Sequence, residues 1–356
     1  IVGGKGGLEH DHSTVIMTGR RQMRNRKNYI KWLGVVAHEF FHVWNVRNMR
    51  PEALGQYDYQ NEQYTGQLWL AEGITSYYDN LIMSRAGLVT PKEFMELLAK
   101  DIHRLETTPG RLLRPVEEAS LDAWIRHYQP NANSVNSTIS YYTKGAVIGF
   151  VLDTFIRRSS KDSRSLDDVM RKMYELYSKE PYSHDDFEKV VSDIGGDKAA
   201  SLLQTLLTTT VEPDVDKAFE YYGLELHRGA IMVTGETDEK PLMSDLGVLW
   251  EDNGQGLVVK AVLHGTAGST AGLIPGDEIL AIGNERLTRD SLEGLMASFS
   301  PGEETTLLVS RRDRIIELGI QPDVATPDQF QIALKSGFER RNIKRLERLL
   351  GQDPRK

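Results

Sequence analysis

The apolar positions of the first 225 residues recur every three or four residues, as on one face of a helix, rather than at alternate positions. Residues 28–46 show this period, and Arg50-Pro51 is a stop signal for the helical region. Pro91 suits the first turn of another helix. The same period predicts further helices at residues 67–86, 140–158, 165–178, 184–193 and 198–208. Residues 1–225 are therefore predicted to form one mainly α-helical domain.

The pattern changes after Pro213. Between residues 230 and 320, short apolar runs such as "GAIMV", "GLVVKAV" and "DEILAIG" stand between turns rich in Gly and Asp. Such runs predict short strands. We therefore predict a small β-rich domain with one or two helices at residues 226–322. A charged helix near 327–350 is predicted within a C-terminal helical tail, residues 323–356.

Composition excludes several classes of function. The 356 residues are 40% hydrophobic and 26% charged, which is ordinary for a soluble globular protein. No stretch approaches the roughly 18 uninterrupted apolar residues that a membrane helix needs. The net charge of −8, without a long basic tract, disfavours a nucleic-acid partner. We interpret the basic cluster Arg20, Arg21, Arg24, Arg26 and Lys27 as a solvated loop or helix start. A cytoplasmic and a periplasmic location in bacteria both remain open.

The absence of cysteine limits the metal chemistry. No disulfide can form, and any metal ion must be bound by His, Asp or Glu. The segment His38-Glu39-Phe40-Phe41-His42 places two histidines four residues apart on one helix face, so both imidazoles can reach one ion. Glu39 lies beside the first ligand, where it can act as general base toward a metal-bound water. This segment therefore predicts a catalytic zinc site.

A catalytic zinc ion takes three protein ligands and keeps one open position. Glu72, in the next predicted helix, is the candidate third ligand because a neighbouring antiparallel helix can bring it to the histidines. The scheme with a third histidine six residues after the second fails, since Asn48 occupies that position. The alternative is two buried histidines with ordinary hydrogen bonds and a surface Glu72. The combination of all four residues favours zinc.

Four segments of the chain resemble one peptidase family in order and spacing. They are "GGLEH" (6–10), "HEFFHVWNVRNMRP" (38–51), "LWLAEGITSYY" (68–78) and "YTKG" (142–145). They resemble the glycyl aminopeptidases, which are related to aminopeptidase N and leukotriene A4 hydrolase among the gluzincins. The resemblance implies a mainly α-helical, thermolysin-like catalytic domain. It also implies one Zn²⁺ bound by His38, His42 and Glu72, with Glu39 as general base.

The same resemblance implies two further roles in the site. Tyr142 corresponds to the tyrosine that stabilises the oxyanion, while the adjacent Tyr141 is expected to face another way. Gly6, Gly7 and Glu9 are expected to bind substrate: the strand would lie along the peptide, and the Glu9 carboxylate would bind its free α-ammonium group. His10 and His12 are predicted not to be ligands. A preference for small N-terminal residues, Gly and Ala, is implied by the family name.

The β-rich segment resembles a PDZ domain. "AGLIPGDEILAIGNERL" (271–287) is similar to the PDZ core, and Leu246, Gly247 and Val248 are similar to its carboxylate-binding loop. PDZ domains add a C-terminal peptide to a sheet edge. Two interpretations stay open for this segment. One is recruitment of a C-terminal peptide as substrate or partner, and the other is a scaffold that packs on the catalytic domain.

The resemblance leaves alternatives open for the whole chain. The family carries an N-terminal β-rich domain before "GGLEH", so the chain is expected to be a fragment or to receive that domain from another chain. The first hypothesis is a zinc aminopeptidase that acts on peptides with a free N-terminus. The second is a gluzincin endopeptidase in which Glu9 binds no amine. The third is a peptide-binding PDZ adaptor on an inactive protease scaffold.

Overall fold

The computed structural model describes residues 6–19, 22–55, 58, 60–229, 244–252, 254, 256–327 and 329–353. The architecture mixes helix and sheet. The α-helices are α1 Arg26–Phe41, α2 Thr75–Arg85, α3 Pro91–Glu106, α4 Val116–Leu121, α5 Ala123–Arg126, α6 Ser134–Ser137, α7 Tyr141–Ser159, α8 Leu166–Tyr177, α9 His184–Gly195, α10 Asp197–Thr208, α11 Val215–Tyr222, α12 Ala267–Ala271, α13 Leu292–Ser298 and α14 Arg340–Leu350. A π-helix at Trp69–Ile74 directly precedes α2. Short 3₁₀ turns lie at Gln22–Arg24, Glu52–Leu54 and Pro109–Leu112.

The strands form one larger sheet and three pairs. They are β1 Gly6–Glu9, β2 Thr14–Met17, β3 Leu224–Arg228, β4 Ser244–Asp245, β5 Val248–Asp252, β6 Leu257–Val262, β7 Glu278–Ile282, β8 Glu285–Arg286, β9 Thr305–Arg311, β10 Arg314–Ile320, β11 Asp323–Val324 and β12 Phe330–Leu334. The larger sheet has the order β10-β9-β7-β6-β5, with β8 added on β7, and the pairs are β1-β2, β4-β11 and β3-β12. All pairings between these strands are antiparallel.

Helix α7 lies at the centre of the helical part. It is buried along almost its whole length, with Val147, Leu152 and Ile156 fully enclosed. It packs against the π-helix, α2, α3 and α11. The predicted helices at 140–158, 165–178, 184–193 and 198–208 are confirmed to within two residues at each end. The helix predicted to begin at Pro91 is also confirmed, and a capping box between Thr90 and Glu93 fixes its start.

The prediction of one helix through residues 28–46 is wrong at its C-terminal end. Helix α1 begins at Arg26 and ends at Phe41, and residues 42–49 form turns. The side chain of Asn45 explains the break, because its Nδ2 donates to the carbonyl of Leu70 at 2.8 Å and to Thr75 Oγ1 at 3.1 Å. These bonds tie the chain to the start of the next helical segment. The apolar period continues beyond the helix, where Trp44 is partly exposed but contacts the ring of the buried Phe41.

The predicted helix at 327–350 is wrong over its first part. Residues 330–334 form β12, which pairs with β3, and only residues 340–350 are helical. The sequence Phe330-Gln-Ile-Ala-Leu334 alternates apolar and other residues, which is a strand pattern. Phe330 and Ile332 pack against the helical core. The prediction of a helical tail therefore overlooked a short period-two signal.

Two hydrophobic cores are present. The larger one spans residues 30–350 and includes Leu346, Leu349 and Leu350 of α14, whereas the smaller one lies within residues 246–320. The prediction of a β-rich segment with helices is confirmed by the sheet with α12 and α13. Residues 230–233 of the run "GAIMV" lie outside the described residues. The division at 1–225, 226–322 and 323–356 stays a prediction.

A pair of hydrogen bonds from one side chain connects the helical part to the sheet. Asn136, in α6, donates from Nδ2 to the carbonyl of Val262 at 2.8 Å and accepts the N–H of His264 at 2.9 Å. The bidentate contact holds the end of β6 against the helical part. No helix in the described part of the chain has the length and apolar composition that crossing a membrane requires.

Candidate active site

Two histidines and one carboxylate converge at the end of α1. The Nε2 atoms of His38 and His42 lie 3.0 and 3.3 Å from the same oxygen, Glu72 Oε2. The two imidazole rings meet edge to face with their centroids 4.6 Å apart. Each of the three residues offers one ligand atom within 4.8 Å of the others. The structure therefore brings together the three residues that the sequence predicted as metal ligands.

Glu72 owes its position to a close helix contact. It stands on the π-helix, a rare local form that recurs at functional sites. A Cβ on Gly73 would lie 2.6 Å from the Cα of Gly145 and from the carbonyl oxygen of Tyr141. A Cβ on Gly145 would lie 2.7 Å from the carbonyl oxygen of Trp69. Two glycines thus allow backbone contact between the segment that bears Glu72 and the first turn of α7.

The distal nitrogens of both histidines are fixed by hydrogen bonds. His38 Nδ1 lies 3.2 Å from Asp79 Oδ2, and His42 Nδ1 donates to the carbonyl of Asn45 at 2.7 Å. Such partners orient each ring and direct Nε2, the candidate ligand atom, toward the shared oxygen of Glu72. Sequence reasoning missed both residues. The available signals were the spacing of Asp79, two helical turns after Glu72, and the Asn45 that follows the motif.

Hydrogen bonds among His38, His42 and Glu72 favour the protonated histidine and the ionised carboxylate. Burial opposes protonation of His38, but hydrogen bonds to Asp79 and Glu72 outweigh it and raise the pKa of His38 to about 10. Burial would raise the pKa of Glu72, yet hydrogen bonds from His38 and His42 lower it to about 2. Glu72 is therefore an ionised carboxylate in a largely enclosed place. Two imidazole nitrogens and a carboxylate oxygen are a donor set that catalytic zinc takes, so these residues fit the ion.

Glu39 lies beside this cluster under strand β1. Its side chain is buried, and burial first, with the nearby carboxylates of Glu9 and Glu72 in addition, raises its pKa above the ordinary value. A Cβ on Gly7 would lie 2.3 Å from the Glu39 carboxyl carbon. Only glycine lets β1 pass this close to the carboxylate. The prediction that "GGLE" is an extended strand is confirmed.

Glu9 lies close to Glu39, the candidate general base. Ligand atoms of Glu9, Glu39 and His42 all lie within 4.8 Å of one another. Two carboxylates this close form a local negative potential that favours a cation. His10 and His12 belong to neither of the two possible ligand groups formed by the described residues. The structure therefore gathers Glu9 into the site and leaves those two histidines out.

Tyr142 stands on the opposite wall, in the first turn of α7. Its ring centroid is 6.2 Å from that of His38, and both residues line a cleft of about 740 Å³ together with Gly7 and Glu39. Burial, and after it the charge of Glu72, raises the pKa of Tyr142 far above its usual value. Its hydroxyl is therefore protonated and able to donate at neutral pH.

Tyr141 is turned away from the cleft, as expected, but it stays in contact with Tyr142. Its ring stacks on that of Tyr142 with centroids 4.7 Å apart, because side chains of a first helical turn lean toward the N-terminus. The two hydroxyls also approach one residue, Tyr128, at 3.1 and 3.4 Å. Tyr141 is nevertheless only 1% exposed and does not line the cleft.

The three residues of the predicted carboxylate-binding loop connect β4 to β5. Leu246 is buried in the smaller core, and Gly247 has a φ of 68°, which favours glycine. The N–H of Gly247 donates to Asp245 Oδ1 at 3.0 Å, and its carbonyl accepts the N–H of Leu263 at 2.8 Å. Val248 begins β5, which pairs with β6 along one edge.

Comparison with known proteins agrees with this geometry. Residues 31–148 match the sequence profile of the M61 glycyl aminopeptidase family. The whole fold resembles the crystal structure of an aminopeptidase N family protein from Idiomarina loihiensis, with a TM-score of 0.86 and 28% identity. That match covers 99% of this chain and 60% of the other, so the chain spans about three fifths of its relative's length. Both matches support the class of aminopeptidase-like peptide hydrolases.

A further structural match covers only a small part of the chain. The HtrA-type protease AlgW, solved with a decapeptide, matches 24% of this chain and 30% of its own at 24% identity. Its TM-score of 0.22 is too low to support a conclusion. No curated protein matches the chain.

Replacing Asp79 with alanine is expected to weaken zinc binding by about 10- to 100-fold, because His38 loses the partner that fixes its ring. Competition with a chelator, read by the metal content of the protein, measures this affinity. Asp101→Ala is the matched control, since Asp101 lines the same cleft without contacting either histidine. Equal zinc affinity of the Asp79→Ala and wild-type proteins would contradict the role of Asp79.

Proposed function

We propose that this chain carries the catalytic machinery of a zinc-dependent aminopeptidase, built as a thermolysin-like gluzincin domain. It would hydrolyse the N-terminal peptide bond of peptides, with preference for small residues such as Gly and Ala. The observation that carries the proposal is the convergence of His38 and His42 Nε2 on Glu72 Oε2, at 3.0 and 3.3 Å, beside a cleft that is lined by His38, Glu39 and Tyr142. The preference for small residues rests on the family match alone.

His38, His42 and Glu72 would hold the metal ion, with Asp79 and Asn45 orienting the two imidazoles. Zn²⁺ bound there supplies Lewis acidity, which lowers the pKa of water toward neutrality and polarises a carbonyl group. Glu39 takes the proton of the attacking water on a carboxylate oxygen and passes it to the leaving amine. The raised pKa of Glu39 brings its proton affinity closer to what this exchange needs at neutral pH.

Tyr142 and Glu9 act on the substrate itself. The hydroxyl of Tyr142 donates to the oxygen that becomes negative when water adds to the scissile carbonyl, which stabilises the transition state more than the ground state. The carboxylate of Glu9 binds the free α-ammonium group of the peptide. An internal peptide bond has no such group, so a site that depends on Glu9 cleaves only at the N-terminus. Because β1 passes directly over Glu39, a peptide that paired with β1 would lie beside the general base.

A free-amine Gly or Ala p-nitroanilide is expected to be cleaved at least about 100-fold faster in kcat/KM than its N-acetylated form. The acetylated substrate leaves the Glu9 carboxylate without a cation, and losing one partner of such a pair costs about 3 kcal/mol. Release of nitroaniline by the zinc-loaded protein measures both rates.

Glu9→Gln is the matched control, and it should bring the two rates closer together while zinc content stays the same. Equal cleavage of both anilides by the wild-type protein would favour an endopeptidase. Purified protein without stoichiometric zinc, inactive after zinc addition, would favour a peptide-binding adaptor.

We also propose that residues 246–320 form a PDZ-like module. What supports a peptide-binding role is the outer edge of β5, which pairs with no other strand in the described ranges. What supports a scaffold role is the engagement of the Gly247 amide by Asp245, since that amide would otherwise be available to a C-terminal carboxylate. Calorimetric titration with a peptide ending in a free carboxylate, and with the same peptide amidated, separates the two roles. A partner chain carrying an N-terminal β domain remains a proposal.

A further inference from the structure

Three tyrosine hydroxyls meet beside the cleft, two of them on residues that line it. Tyr141 donates its hydroxyl proton to the Tyr128 oxygen at 3.1 Å. The Tyr128 oxygen in turn lies 3.4 Å from that of Tyr142, and either can be the donor in that pair. In this contact Tyr128 accepts a hydrogen bond from Tyr141. Its own hydroxyl proton is therefore still available for donation to another oxygen. If Tyr128 donates this proton to the Tyr142 oxygen, the hydrogen bonds form a chain from Tyr141 through Tyr128 to Tyr142.

Tyr128 is held firmly at the rim of the cleft. Tyr128 follows α5 closely, and its N–H donates to the carbonyl of Ala123, the first residue of that helix, at 3.0 Å. Its ring packs against Trp124 with centroids 5.2 Å apart and against the edge of His127 at 5.1 Å. The residue is still 51% exposed and lines the same cleft as Glu39 and Tyr142. The backbone hydrogen bond and the two neighbouring rings therefore hold the Tyr128 side chain in place. The hydroxyl group itself makes no contribution to packing in the hydrophobic core.

We propose that Tyr128 is a positioning residue that orients the hydroxyl of Tyr142 toward the substrate. This inference rests on the proposed function, in which Tyr142 donates to the oxyanion. When Tyr128 donates to the Tyr142 oxygen, the only proton of Tyr142 points away from Tyr128 and into the cleft. A hydroxyl that accepts one hydrogen bond also becomes a stronger donor for the next.

The 3.4 Å separation is consistent with this role. It is longer than the roughly 2.5–3.0 Å of a strong O–H···O bond. Catalytic hydrogen bonds are often long without substrate and shorten when charge develops in the transition state. The rings of Tyr141, His38 and His127 hold the ring plane of Tyr142. Tyr141 also interacts with Tyr142 through its hydroxyl, so Tyr128 and Tyr141 are both hydroxyl partners of Tyr142 among the described residues, and Tyr128 is the partner that lines the cleft.

Replacing Tyr128 with phenylalanine is expected to lower kcat by about tenfold and to leave KM within about twofold of wild type. The ring and its packing are kept, and only the orienting hydroxyl is removed, so the loss falls on the transition state. Steady-state hydrolysis of Ala p-nitroanilide by the zinc-loaded protein measures both constants. Thermal unfolding is expected to be unchanged, because the side chain is half exposed.

A double-mutant cycle separates positioning from a structural role. If Tyr128 acts through Tyr142, adding Tyr128→Phe to Tyr142→Phe should change kcat by less than twofold. A tenfold additional loss in that background would overturn the inference, since the hydroxyl would then act by another route. Tyr141→Phe, which removes the first donor of the chain, should cause a smaller loss than Tyr128→Phe.

The positioning role of Tyr128 and the proposed function can be contradicted by different results. Normal kcat in Tyr128→Phe together with a large loss in Tyr142→Phe would overturn the positioning role and leave the proposed function standing. Normal kcat in Tyr142→Phe would overturn both the oxyanion role and the inference that depends on it. Loss of zinc or a lowered unfolding temperature in Tyr128→Phe would show that the residue supports the fold, and would likewise overturn the inference.

Discussion

Glu39→Gln is expected to keep its zinc and to lose about 10³-fold in kcat. The amide has nearly the shape of the carboxylate and fits below β1, but it cannot accept the proton of the attacking water. General-base catalysis contributes typically 10²–10⁴-fold, which sets the expected size. Glu39 is not among the three proposed ligands, so the site for the ion stays intact. Metal analysis and kcat for Ala p-nitroanilide, measured on the same preparation, test both parts.

Glu72→Gln provides the contrasting variant for this experiment. The same chemical change at a proposed ligand should remove zinc as well as activity, because the carboxylate on which both histidines converge is lost. The pair thus separates a base from a ligand. A Glu39→Gln protein with kcat within about fivefold of wild type would show that the proton is taken elsewhere.

Tyr142→Phe is expected to lower kcat by about 10²- to 10³-fold with little change in KM. A donor aimed at the developing oxyanion is worth roughly 2.7–4 kcal/mol of the barrier, and that interaction is absent from the ground state. The raised pKa keeps this hydroxyl protonated, so the loss should be similar from pH 6 to pH 9. Steady-state kinetics across this range provide the measurement.

Tyr141→Phe is the neighbouring control for Tyr142. Tyr141 shares the ring stack but does not line the cleft, and its hydroxyl reaches Tyr128 rather than the substrate space. Its loss should therefore stay below about tenfold. If Tyr142→Phe raised KM while kcat remained normal, Tyr142 would bind substrate in the ground state and would not stabilise the oxyanion.

The site shows how far local patterns reach. The spacing of His38 and His42 puts both on one helix face, and this follows from the 3.6-residue period alone. The start of α7 was predicted from an equally local signal, whereas the strand at Gly6–Glu9 was implied by the family resemblance. The break of α1 at Phe41 was not predicted, because the long-range bonds of Asn45 to Leu70 and Thr75 end the helix. Such bonds leave no period in the sequence.

The glycines illustrate the same limit. In the sequence, Gly73 and Gly145 appeared only as small residues inside motifs, and Gly7 appeared as a predicted substrate-binding residue. The structure shows that each removes a Cβ where two backbones, or a backbone and the Glu39 carboxylate, approach too closely for any side chain. Their role depends on what lies opposite, and that partner is distant in sequence or on another element. Sequence spacing therefore could not reveal it.

The sequence by itself determined the residue types that can do the chemistry: two histidines one helical turn apart, an adjacent carboxylate and, without cysteine, an oxygen or nitrogen donor as third ligand. Only the tertiary structure decided which residues meet. It brought Glu72 to both imidazoles, placed Asp79 and Asn45 behind them, and gathered Tyr128, Tyr141 and Tyr142 at one wall of the cleft. Helical periodicity acts over a few residues, whereas these contacts depend on how separate elements pack.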